Sequence, residues 1–125
     1  MNLQTPRVVE ILRSLGFEVA CESNGTFPIV HGIDFVTVSP KSDSDYYIHP
    51  EALYHINDLK LIVDEGFDFE VAKRIEKDLG HTTAKLWLSP EFGTFKQSIE
   101  KILEFIKENP KWRINLQTHK WMQIP

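Results

Sequence analysis

Short, almost wholly apolar runs separated by helical periodicity constrain this chain most. Phe35 to Val38, Leu59 to Val63 and Lys85 to Leu88 are strand-length runs. Strands of this kind are apolar on both faces, which suits a parallel sheet covered by helices. Between the last two, Val71, Ala72, Ile75 and Leu79 recur at helical spacing behind Asp68, a natural N-cap, and ahead of Gly80. Helices and strands in alternation indicate βα units, so the expected class is α/β.

The remaining elements extend the alternation. Thr5-Pro6 starts a helix whose apolar positions are Val8, Val9, Ile11, Leu12 and Leu15, stopped by Gly16. Phe17 to Cys21 reads as a strand. Pro50 opens a short helix through Ile56. Thr94 and Gln97 have capping-box spacing before a helix with the stripe Phe95, Ile99, Ile102, Leu103 and Ile106. Asn109-Pro110 ends it, and Trp112 to Gln117 is the last strand. Five strands are too few for a closed barrel. The glycine-rich turn of an open nucleotide-binding sheet is also absent. The expectation is a single domain over residues 1–125, a partial (β/α) barrel that opens on a helix and so lacks N-terminal strands.

Composition narrows the function classes. A net charge of −4 over 125 residues offers no basic face for a nucleic acid. The apolar runs are too short to span a membrane, and no leader-like stretch opens the chain, so a cytoplasmic protein is expected. One cysteine, Cys21, permits neither an internal disulfide nor a cysteine-only metal cage. His49 and His55 lack the spacing that puts two imidazoles on one helix face, and His31 and His81 fall in loops, so no metal ligands are assigned.

Polar residues collect where the strands end. Asp34 to Lys41 climbs through β-branched and aromatic residues to Ser39-Pro40-Lys41, where Pro40 cannot donate to a ladder. Glu22-Ser23-Asn24, Asp64-Glu65, Ser89-Pro90-Glu91 and Gln117-Thr118-His119-Lys120 follow the other strands. In parallel α/β architectures such ends share one rim, and ligands bind there. Taken singly each has a plainer explanation: Asn24-Gly25 makes a tight turn, Ser39-Pro40 stops a strand, and Lys41 is solvated. Neither Ser39 nor Ser89 has the glycine-flanked elbow of a hydrolase. The apolar tail of Trp121, Met122 and Ile124 is expected to pack back and bring the Pro125 carboxylate to the same rim.

Taken in order, several of these pieces resemble the C-terminal part of the 7-carboxy-7-deazaguanine synthase family of radical S-adenosylmethionine enzymes. They are Glu22-Ser23-Asn24-Gly25-Thr26, similar to the family's Glu-Thr-Asn-Gly; Val36-Thr37-Val38-Ser39-Pro40-Lys41; Asp58-Leu59-Lys60; and Trp112 through Lys120 with Ile124-Pro125. The resemblance covers essentially the whole chain. It implies a radical SAM-like partial barrel, paired as a homodimer, and a step toward queuosine. In that family 6-carboxy-5,6,7,8-tetrahydropterin becomes 7-carboxy-7-deazaguanine with the help of S-adenosylmethionine, an iron–sulfur cluster and Mg²⁺.

Carried over residue by residue, the resemblance implies that Ser39, Pro40 and Lys41 contact S-adenosylmethionine. Ser89, Pro90, Glu91 and Phe92 would close over it, and Glu22 matches an acidic residue that holds it. Pro125 and His119 would meet the pterin-like substrate. The family's three-cysteine motif and its Gly-Gly-Glu-Pro strand have no counterpart here, and Ser89-Pro90 replaces a Gln-Pro seen in some members. The 4Fe-4S cluster and Mg²⁺ are therefore expected only with a complementary N-terminal half. The chain by itself is expected to be inactive, its bare sheet edge prone to aggregation or edge pairing. The rival reading is a non-catalytic α/β binding or dimerisation module.

Overall fold

The computed structural model describes residues 5–80 and 82–116, and backbone only at Thr5. The capping side chain of Thr5, the loop placement of His81, and everything expected of Gln117 to Pro125 lie outside the described residues. That includes the roles of His119 and Pro125 and the packing of the apolar tail.

Five strands form one sheet: β1 (Ala20–Ser23), β2 (Phe35–Val38), β3 (Asp58–Val63), β4 (Lys85–Pro90) and β5 (Trp112–Ile114). All neighbouring pairs are parallel, and the spatial order is β1-β2-β3-β4-β5. Right-handed crossovers in an unreversed order wind in one direction. They therefore put covering helices on one face, as in a barrel wall, without the strand-order reversal of a doubly wound sheet. The expected partial barrel is the fold observed.

Helices α1 (Thr5–Ser14), α2 (Phe69–Leu79) and α3 (Phe95–Glu108) accompany the strands. The crossover between β2 and β3 holds only short 3-10 turns, Ser42–Ser44 and Ala52–His55. The proline-led helix expected before Ile56 is thus a single tight turn. Val36, Val38, Leu59, Leu61, Val63, Leu86, Leu88 and Trp112 pack with Ala72, Ile75 and Leu79 of α2 and Ile102 and Phe105 of α3 in one core. Alternate residues of each strand, among them Thr37, Lys60, Ile62, Trp87 and Arg113, point to the helix-free face.

Several elements differ from expectation for identifiable reasons. The first strand begins at Ala20, not Phe17, because the amides of Gly16 and Phe17 close the end of α1 by donating to Arg13 and Leu12 carbonyls, at 2.9 and 3.1 Å. The strand expected over Lys85 to Leu88 runs on through Pro90, which pairs with Val63. Leu88 accepts from Asn115 on the β5 side, and Glu91 donates to Val63 on the β3 side at 2.8 Å. Pro90, two residues past Leu88, turns its nitrogen toward β5 beyond that strand's last residue, so its missing N–H breaks no bond.

The inner face of α3 is Ser98, Ile102 and Phe105, while Leu103 is 49% exposed. Phe105 gains its place from an aromatic chain: its ring lies 4.9 Å from Phe69 and 6.3 Å from Trp112. The expected capping box also fails. Thr94 makes no cap bond to the helix backbone; its hydroxyl bonds Glu91 at 3.0 Å and Ser98 at 2.9 Å. Asp68 does cap α2, accepting from the Glu70 amide at 2.9 Å.

Candidate functional site at the strand ends

Parallel pairing brings the carboxyl ends of β1, β2, β3 and β4 to one edge, with Glu22, Ser39, Asp64 and Ser89 along it. Ser39 is only 1% exposed, and its amide extends the ladder by donating to the Ser23 carbonyl at 2.8 Å. The Lys41 ammonium reaches back to the Ser39 hydroxyl at 3.3 Å. Lys41 itself is exposed, and its carbonyl accepts from Ser44 and Tyr46, which folds the following turn. A buried hydroxyl with a solvated ammonium beside it makes a compact donor pair for a carboxylate or ribose oxygen.

Glu22, at the end of β1, meets Lys60 of β3 at 3.3 Å across the helix-free face. Its neighbours have local duties. The Ser23 hydroxyl accepts from the Gly25 amide at 3.0 Å, and the Asn24 side chain accepts from Thr26 through both its amide and its hydroxyl. Asn24-Gly25 is thus a turn, and a tightly placed one: Gly25 has φ +81, and a Cβ there would stand 2.8 Å from Val38 Cγ1.

On β4, Ser89 is 1% exposed and its hydroxyl donates to the Asn115 carbonyl at 3.0 Å, pinning the end of β5. The Glu91 carboxylate takes the Gly93 amide at 2.9 Å and the Thr94 hydroxyl at 3.0 Å. Both carboxylate oxygens therefore serve the turn that launches α3. Phe92 beside it is half exposed.

The strand ends thus bring Glu22, Ser39, Lys41 and Ser89 to one edge. The register sets Ser39 level with Trp87, so Ser89 lies two strands across and two residues further along the edge. Three residues that strand-end reasoning did not single out as site residues share the helix-free face. Lys60 pairs in register with Trp87, and Trp87 with Arg113. The available signal was the period-2 pattern in Leu59-Lys60-Leu61 and Leu86-Trp87-Leu88, which turns the middle residue away from the core.

A cavity of about 1020 Å³ lies at the other end of the sheet. It is lined by α1, the loop before β2 and the turn before β3, with Arg13, His31, Asp34 and His55 among its walls. The Arg13 guanidinium pairs with Asp34 there, and Asp34 also accepts from the Val19 amide at 2.7 Å. These two contacts, the Val19 amide first, hold the Asp34 carboxyl below the usual carboxylate range. Cys21 is a half-buried free thiol whose titration burial pushes up, the opposite of an activated nucleophile. Among the described residues no set of three His, Cys, Asp or Glu side chains could hold a metal ion, and no helix is long and apolar enough to cross a membrane.

No protein-family model matches the chain. It is similar to curated proteins named 7-carboxy-7-deazaguanine synthase. The protein from Aquifex aeolicus is 36% identical over 97% of this chain and 59% of its own length. That from Burkholderia multivorans is 29% identical over 100% and 55%, and that from Synechocystis is 32% identical over 90% and 52%. The crystal structure of QueE from Escherichia coli superposes with a TM-score of 0.61 at 23% identity, covering 88% of this chain and 48% of that one. The chain spans between half and three-fifths of the length of these curated relatives.

Proposed function

We propose, taking the chain's relationship to the 7-carboxy-7-deazaguanine synthases as the premise, that it is the C-terminal half of a radical S-adenosylmethionine enzyme of that kind. The complete enzyme would convert 6-carboxy-5,6,7,8-tetrahydropterin to 7-carboxy-7-deazaguanine on the way to queuosine and related deazapurines. The observation that carries this reading is the end of β2, where the Lys41 ammonium stands 3.3 Å from the buried Ser39 hydroxyl. Such a pair suits the carboxylate or ribose hydroxyls of S-adenosylmethionine, which when bound would supply the radical for hydrogen abstraction.

Other residues have narrower parts in this reading. Glu22 offers a carboxylate already paired with Lys60, so it can accept from a ribose hydroxyl or an ammonium without adding uncompensated charge. Ser89 to Phe92 would contribute chiefly backbone groups, since the Glu91 carboxylate holds Gly93 and Thr94. His119 and the Pro125 carboxylate would face the pterin-like substrate, whose N–H donors match a carboxylate acceptor.

The residues of this chain do not fit an iron–sulfur cluster. Three thiolates are needed to hold one in such enzymes, and Cys21 is the sole cysteine. This chain alone is inactive in our reading. The cluster would belong to a complementary half, working in the cytoplasm. Support for such a partner comes from the β1 side of the sheet. There no strand among the described residues pairs with the outer edge of β1, and α1 leaves Val8, Ile11 and Leu15 at 52%, 48% and 67% exposure. A crossover helix lies over the two strands it connects. A further parallel strand beside β1 would therefore place apolar cover against this stripe. Homodimerisation would join two such completed barrels.

Calorimetric titration with S-adenosylmethionine tests the reading. The chain should bind it, and Lys41→Ala should weaken binding at least about tenfold through loss of a charge-assisted contact. Absence of binding by the unaltered chain would favour a non-catalytic α/β module.

A further inference from the structure

Trp87 is the most unusual side chain on the helix-free face. It sits on β4, with β3 and β5 on either side, between Lys60 and Arg113 in register. Its indole N–H is shielded from solvent and has no hydrogen-bond partner, alone among the buried side-chain polar atoms of the described residues. An orphaned buried donor is costly, and where a fold retains one it often marks a place that an incoming acceptor completes. The Arg113 guanidinium lies 5.7 Å over the Trp87 ring. Arg113 is exposed, and none of the salt bridges among the described residues involves it. On the other flank the Lys60 charge is met by Glu22. Among the described residues the unneutralised charge of this row is therefore Arg113, next to an aromatic face and a donor without an acceptor.

We propose that Trp87 and Arg113 form the seat for a planar heterocycle bearing a carboxylate, the class to which 7-carboxy-7-deazaguanine belongs. The ligand's identity rests on the functional reading above, while its place rests on this geometry. A flat ring packs on the indole, and the guanidinium takes the carboxylate in the two-pronged geometry that arginine favours. To meet a carboxylate, Arg113 swings off the indole face. That movement uncovers the ring face for stacking, and an acceptor group of the ligand that projects past the ring edge can drop into the indole plane to take its N–H. Trp87 and Arg113 are thus assigned as ligand-binding residues, with Arg113 selecting for the carboxylate.

The test is a titration of the ¹⁵N-labelled chain with 7-carboxy-7-deazaguanine, following the indole N–H resonances, beside calorimetry with S-adenosylmethionine. The Trp87 resonance, identified through Trp87→Phe, should move. That of Trp112 should not, since its N–H already donates to Glu76 at 2.7 Å. Arg113→Lys should weaken binding about tenfold and erase the preference over 7-deazaguanine, which lacks the carboxylate. Trp87→Phe keeps a ring and should cost only a few-fold. An unmoved Trp87 resonance, or affinities within twofold of the unaltered chain in both variants, overturns the seat. If S-adenosylmethionine still binds in that case, the cofactor reading stands and the seat alone falls. If the heterocycle binds as described but S-adenosylmethionine does not, the cofactor reading falls alone. Binding of neither overturns both.

Discussion

Replacing Gly25 by alanine should be among the costliest single-methyl changes in this chain, and the structure separates its two causes. The first is conformational: at φ +81 an L-residue pays about 1–2 kcal/mol relative to glycine. The second is steric. The new Cβ would stand 2.8 Å from Val38 Cγ1, well inside van der Waals contact. Val38 is fully buried in β2 and, being β-branched, has little rotamer freedom with which to retreat. Overpacking of this kind adds about 1–3 kcal/mol, for a total of about 2–5 kcal/mol. Gly16 and Gly66 supply the controls. Gly16 has φ +87 with open space around it, so Gly16→Ala should cost the conformational part alone. Gly66 has open space and no positive φ, so Gly66→Ala should be neutral or stabilise by about 0.5 kcal/mol.

Urea unfolding followed by circular dichroism reads all three. With a slope of about 2 kcal/mol per molar, Gly25→Ala should lower the midpoint by about 1–2.5 M and Gly16→Ala by about 0.5–1 M. Equal losses for the two would mean that the Val38 contact carries no energy. The reasoning that Gly25 is needed for close approach, and not only for its backbone angle, would then be wrong. The outcome bears on the site as well, because the turn at Gly25 follows Glu22 directly and abuts the strand that carries Ser39.

Acid stability should depend on Asp34. Its carboxyl is held below its ordinary value by the Val19 amide and Arg13, so its contribution is present above the unfolded carboxylate pKa of about 3.9 and is lost as pH falls through the lower folded value. Asp34→Asn should flatten the urea midpoint's fall below about pH 4, and identical pH profiles would remove Asp34 from that role. Charging the α1 stripe by Ile11→Glu and Leu15→Glu should suppress concentration-dependent association in sedimentation experiments while moving the urea midpoint little, since both residues are exposed. An unaltered chain that stays monomeric at all concentrations would contradict the docking role of that face.

Much of the fold was open to inspection along the chain, because period-2 and period-3.6 patterns are local. The existence of α1, α2, α3 and the five strands follows from them, as does the cap at Asp68. Errors fell where distant groups compete for the same atoms. Phe17 reads as strand, yet its amide is drawn back to close α1. Leu103 and Phe105 suit a helix face equally well, and the aromatic neighbours Phe69 and Trp112 decide between them. Thr94 has the spacing of a capping box, but the Glu91 carboxylate occupies its hydroxyl.

The candidate site divides the same way. Ser39, Lys41 and Glu22 could be proposed from the sequence because a polar cluster after an apolar strand marks a strand end wherever the strand finally lies. That these ends share one edge required an all-parallel, unreversed sheet, which depends on pairing between segments far apart in the chain. The helix-free face depends on it further. Lys60, Trp87 and Arg113 are separated by 27 and 26 positions in sequence, and only the register of β3, β4 and β5 sets them in one row. Alternation along each strand determined which way each side chain points. Hydrogen bonding between strands determined which side chains it points beside, and that is a property of the tertiary structure alone.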